Sequence, residues 1–130
     1  MIAVILDSGR LERLYTGLSL LVSAAAEGRQ ARGLVSFGAL EPMLDEQLLG
    51  RALRPEACPG LTRAGRETFA RTLVKLRDTA AGLDDCRMWA CAAAVEATGT
   101  ALADVEACLD GVMSTSSFLR EVSGSQLVLC

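Results

Sequence analysis

The stretch Ile2-Ala3-Val4-Ile5-Leu6-Asp7-Ser8-Gly9-Arg10 decides the fold. Its first five residues form an unbroken apolar run rich in β-branched side chains, the pattern of a strand covered on both faces at the centre of a parallel sheet. Asp7 to Arg10 then reads as a turn. After it, Leu11, Leu14, Tyr15, Leu18, Leu21, Val22 and Ala25 recur at helical spacing with polar residues between them. This helix is expected to end at Gly28. Gln30 to Phe37, bounded by Gly38, supplies a second strand. The opening segment is therefore a β-α-β unit, with parallel strands and a right-handed crossover.

Working outward, Glu41 to Leu53 has room for a short helix, and Arg54 to Gly60, with two prolines and a glycine, reads as an exposed loop. Thr62 is placed to cap a long helix. Its apolar side is Phe69, Leu73, Leu76, Ala80 and Leu83, and its outer side carries Arg66, Arg71, Lys75 and Arg77. Arg87 to Cys91 is a third strand, and the alanine-rich Ala92 to Ala97 starts a short helix before Gly99. A polar segment with Asp104 and Glu106 follows. Gly111 to Met113, Thr115 to Val122 and Gln126 to Cys130 then read as strand, helix and strand. Alternation of this kind predicts one domain over residues 1–130, a three-layer α/β/α sandwich around a mainly parallel five-stranded sheet. Its functional site is expected where the carboxyl ends of the strands face helix N-termini.

Composition narrows the function. Histidine is absent, which removes the usual zinc ligand, the Cys-His dyad and the Ser-His-Asp triad together. No metal site and no cofactor motif is expected. The net charge of −3 is unevenly spread: residues 51–77 hold seven cationic side chains against two carboxylates, residues 78–130 two against eight. With aromatics at 4%, neither an electrostatic nor a stacking footprint for nucleic acid is present. Leu14 to Ala26 is interrupted by Thr16, Ser19 and Ser23 and is shorter than the roughly 18 to 20 apolar residues that span a bilayer. No secretory pattern follows Met1, so a cytoplasmic protein without membrane insertion is expected. An apolar fraction of 51% and a mean hydropathy of +0.32 point to self-association. Five cysteines, at 58, 86, 91, 108 and 130, show no framework spacing and are expected to be free thiols.

Four loops should gather at the carboxyl edge: Asp7 to Arg10, Ser36 to Glu41, Cys91 to Ala94 and Ser114 to Ser116. Only one brings a strong nucleophile. A thiol between a strand end and a helix start meets unpaired backbone N–H groups and the positive end of the helix dipole, which favour thiolate. The small Ala92, Ala93 and Ala94 leave such a sulfur open to exchange chemistry. Free cysteine is also a frequent core residue, and spacing leaves both roles open for Cys91. Cys86 lies on the opposite face of the same strand and cannot easily bridge to it. Cys58 reads as a loop thiol, incidental at the surface or a mobile second nucleophile, while Cys108 and Cys130 read as packing residues. The Ser8-Gly9 turn offers amides to a small anion, although a plain strand-to-helix turn capped by Asp7 or Ser8 is the ordinary explanation. Arg63, Arg66, Arg71 and Lys75 would suit an acidic partner or an anionic sulfur compound, or form a solvated face. The carboxylates, among them Glu41, Asp45, Glu46, Asp84 and Asp85, form no pair facing across a cleft.

Three stretches resemble the DsrE/DsrF-like sulfur-relay family along nearly the whole chain. They are Ile2 to Gly9 with Leu14-Tyr15, then Ser36-Phe37-Gly38-Ala39-Leu40, then Trp89-Ala90-Cys91 continuing through Gly99, Asp110-Gly111-Val112 and Phe118-Leu119 to Gln126-Leu127. The resemblance implies a three-layer fold, assembly into homo-oligomers, and a cysteine that carries sulfane sulfur as a persulfide, a position that Cys91 occupies. It implies a substrate site from Ser8, Gly9, Phe37, Gly38, Ala92, Ala93 and Ser114. Sulfur donor and acceptor proteins or small polysulfides would be the partners. Ala92-Ala93-Ala94 departs from the methionine and serine that closely similar branches place after the cysteine, and the arginine-rich stretch from Arg51 to Arg66 has no counterpart. Two other functions stay open: a non-catalytic oligomeric module binding a small anion, a nucleotide or a partner protein, and a redox-sensing thiol.

Overall fold

A computed structural model describes all residues from Met1 to Cys130. Five strands, β1 (Ile2–Leu6), β2 (Ala31–Val35), β3 (Cys86–Cys91), β4 (Val112–Met113) and β5 (Gln126–Leu129), form one sheet in the order β4-β3-β2-β1-β5. Every pairing is parallel. β1 lies between β2 and β5, which is why its sequence is apolar throughout: four of its five residues are buried. β4 is short because Asp110 closes the ladder beside it. The Asp110 carboxylate accepts the Met88 N–H at 2.8 Å, and the Asp110 N–H donates to the Met88 carbonyl at the same distance.

Seven helices connect the strands: α1 (Leu11–Ala26), α2 (Phe37–Leu44), α3 (Leu48–Ala52), α4 (Arg63–Gly82), α5 (Ala92–Thr98), α6 (Leu102–Cys108) and α7 (Thr115–Glu121). α1 and α4 pack together over one face of the sheet, with the Tyr15 and Phe69 rings stacked at 5.0 Å between them. A methyl group on Gly17 would run into Leu6, and one on Gly33 would lie 3.1 Å from Leu21 and Met88, so small residues set how deeply α1 sits. α7 alone crosses the other face. Its Phe118 ring, fully buried, meets Trp89 edge-on at 6.3 Å. No helix is long and apolar enough to cross a membrane.

Three expectations need correction. β2 ends at Val35 instead of Phe37, because Ser36 turns the chain into α2, a helix that the sequence places only from Glu41 onward. Phe37 takes a φ of +27°, unusual for a bulky side chain, in making that turn. Second, the polar segment after Gly99 contains α6, held to α2 through the buried Val105. Third, Cys58 is not a surface thiol: it is 1% exposed, packed against α1. Thr62 does cap α4, its hydroxyl accepting the Gly65 N–H at 3.0 Å.

Candidate functional site

Cys91 ends β3 and stands as the residue before the first turn of α5. β-strand alternation puts it on the same face as Trp89, towards α7, and puts Cys86 on the opposite face. The residue is 3% exposed, yet it lies at the end of the sheet, with Ala93, Ser114, Thr115 and Ser116 exposed in the surrounding loops. Its sulfur is 4.0 Å from the Thr115 hydroxyl. Burial pushes the thiol up, but this is outweighed by the Ala94 N–H, the Ser36 hydroxyl, the Ala93 N–H and the Thr115 hydroxyl. The net result is a thiol below its ordinary 9.0. Neither alanine amide closes a capping hydrogen bond on the sulfur; both stabilise its negative charge from close by. The sulfur is therefore not open in the way the three small alanines suggest; in a residue 3% exposed it is covered, with polar donors around it.

The other expected site residues divide into three groups. Ala92 and Ala93 flank Cys91 at the start of α5, and Ser114 caps α7 next to Thr115, its hydroxyl accepting the Ser117 N–H at 3.2 Å. Phe37 and Gly38 line a groove of about 640 Å³ between α2 and the Thr98–Ala101 turn, which Cys91 does not line. Ser8 and Gly9 belong to the β1 loop, two strands from Cys91, or about 9 to 10 Å at ordinary strand spacing. A Cβ on Gly38 would stand 2.8 Å from the Gly9 nitrogen and 3.1 Å from the Asp7 carbonyl, so both loops need glycine to lie against each other.

Two backbone amides of the turn that holds Ser8 and Gly9 are already used within the fold. The Asp7 and Ser8 N–H groups both donate to the Cys130 carbonyl, at 2.8 and 3.3 Å, and the Ser8 hydroxyl accepts the Arg10 N–H at 3.1 Å. The basic face of α4 is likewise smaller than its sequence implies. Arg77 donates to the Asp45 carbonyl at 2.6 Å and Arg66 to the Leu61 carbonyl at 3.2 Å, leaving Arg63, Arg71 and Lys75 exposed.

All five cysteines are free thiols. Burial raises the Cys58 thiol, with the Glu12 carboxylate adding to the effect, so this cysteine is held protonated. It shares none of the groups that act on Cys91. Cys86 is pushed up to about 11, first by burial and then by the Asp110 carboxylate. Unlike Cys58 and Cys86, Cys91 is moved towards thiolate. Ser36 and Thr115 are the contacts of the Cys91 sulfur that sequence reading placed only within loops; their position next to a strand-end cysteine was the available signal. No group of three or more Cys, Asp or Glu side chains gathers as a metal site.

No protein-family model matches the chain, and no curated protein matches it.

Proposed function

We propose that this chain is a sulfur carrier of the DsrE/DsrF-like kind, with Cys91 as the residue that holds the sulfur. The observation that carries the reading is the set of donors around that sulfur: two backbone amides and the hydroxyls of Ser36 and Thr115 together lower the thiol despite its burial. Cys91 thiolate attacks the outer sulfur of a donor persulfide or polysulfide. One S–S bond forms, the donor's S–S bond breaks, and its electron pair leaves on the donor thiolate. An acceptor thiolate then attacks the terminal sulfur and Cys91 leaves as thiolate, so no external oxidant or reductant is consumed. Donor and acceptor are proteins or small polysulfides in the cytoplasm, and the carrier works as a homo-oligomer.

Incubation with a sulfane-sulfur donor, followed by intact mass measurement, tests this. The wild-type chain gains one sulfur, about 32 Da, and Cys91→Ser does not. A wild-type chain that stays unmodified, or a Cys91→Ser chain that loads equally, sinks the proposal.

A second reading is favoured by the exposed leucines 119, 127 and 129 beside α7: an assembly module in which Cys91 only packs. Under that reading Cys91 resists thiol reagents in the native protein, or reacts no faster than a model peptide.

A further inference from the structure

Arg32 is a cation set into the sheet. It lies on β2 with its side chain 12% exposed, and its two short hydrogen bonds, to the carbonyls of Ala31 at 2.9 Å and Asp85 at 3.0 Å, both come from one terminal nitrogen. Its buried Nε has no hydrogen-bond partner and faces the Glu121 carboxylate of α7 at 3.7 Å. Burying a guanidinium edge without a close partner costs free energy, and an apolar side chain would cover this sheet face at less cost.

The register explains what the pair fixes. Arg32 is opposite Arg87 and Leu34 opposite Trp89, so Arg32, Trp89 and Cys91 point to one face at successive levels along the strands. Thr115, Phe118 and Glu121 follow one another at i, i+3 spacing along one side of α7. α7 is therefore pinned at three levels: Thr115 at Cys91, Phe118 at Trp89, and Glu121 at Arg32. The buried Phe118 and Val122 hold α7 by apolar packing, and the link from β4, where Met113 pairs with Cys91, holds its first turn. The ion pair is the polar contact at its far end.

We propose that the Arg32–Glu121 pair is a positioning device for α7 that sets the depth at which Thr115 meets the Cys91 sulfur. The inference rests on Cys91 being the working thiol and is independent of what that thiol carries. The other charged groups of neighbouring elements are turned elsewhere: Arg120 to Ser117, Arg87 to Asp110, Glu41 to Arg51, and Glu96 to solvent.

Glu121→Ala separates positioning from a direct field effect, because the two have opposite signs. Removing a negative charge by field alone lowers the pH midpoint of Cys91 alkylation, whereas loss of Thr115 from the sulfur raises it. Glu121 is 47% exposed and alanine favours helix, so the variant folds, which a thermal melt verifies. Alkylation rates read at the Cys91 peptide by mass spectrometry give the midpoint. Glu121→Ala is expected to raise it by at least about half the rise produced by Thr115→Val, and to add little when combined with it. An unchanged or lowered midpoint overturns the proposal, and so does full additivity in the double variant. A raised midpoint in a protein that refuses sulfur leaves the positioning role standing while the carrier reading falls.

Discussion

Cys86 and Cys91 bound the same strand and are driven in opposite acid–base directions by their surroundings. Cys86 faces α4 in a site where burial and the Asp110 carboxylate disfavour thiolate, and its pKa rises from 9.0 to about 11. The sign of the consequence follows from linkage. A thiol harder to ionise in the fold than in the unfolded chain contributes stability that is complete below pH 9 and is lost as pH climbs towards 11. Urea unfolding at pH 8.5 and 10.5 should show wild type losing about 2 kcal/mol more than Cys86→Ala over that interval. Equal losses in the two proteins would mean that Cys86 is not held protonated. Cys91 was legible as a candidate because a nucleophile at a strand end followed by small residues is a pattern written in local sequence. Ser36 and Thr115 were not, because their approach to the sulfur depends on β2 and α7 being laid beside β3, which no local pattern encodes. Cys58 misleads for the converse reason: prolines mark its loop as irregular, but irregular backbone can still bury one side chain against Glu12.

At the scale of elements, periodicity recovered those that bury one face. α1 and α4 declare themselves by apolar stripes, and α4 also by its cap. Thr62→Ala removes the hydroxyl that accepts the Gly65 N–H and should cost about 1 kcal/mol. For a chain of this size that loss lowers Tm by about 3 to 5 °C, and Thr62→Ser should restore most of it. An unchanged melting temperature in Thr62→Ala would show that solvent satisfies the Gly65 N–H equally well. The elements that escaped are short. α2 begins at a phenylalanine with positive φ and contains Pro42, two features that argue against helix locally; Pro42 is nevertheless buried, with Ala39, Leu40 and Met43, in the core. α6 shows no stripe, since a single buried residue, Val105, holds it. Tertiary packing, not intrinsic preference, decides both.

For the whole molecule, the strand order β4-β3-β2-β1-β5 leaves β5 at an edge and its two helical layers unequal. α1 and α4 thickly cover one face, whereas the other has only α7, a helix of 7 residues. Leu127 and Leu129 are paired in register with Ala3 and Ile5, so they extend the thinly covered face to the sheet edge, where they stand 51% and 68% exposed. Leu119, on α7, is exposed as well. An apolar surface continuous with an open strand edge favours association, which matches the high mean hydropathy. Sedimentation should find wild type above monomer mass at micromolar concentration. Leu127→Lys should shift it to monomer with the fold retained by circular dichroism, since this side chain is half in water already. A monomeric wild type would remove assembly from the function. A variant that stays associated would move the interface to another surface and leave the leucines of β5 without a role. Because α7 both flanks this face and carries Thr115, the rate of the proposed sulfur loading at Cys91 should differ between associated wild type and monomeric Leu127→Lys, and equal rates would show that the site is complete within one chain.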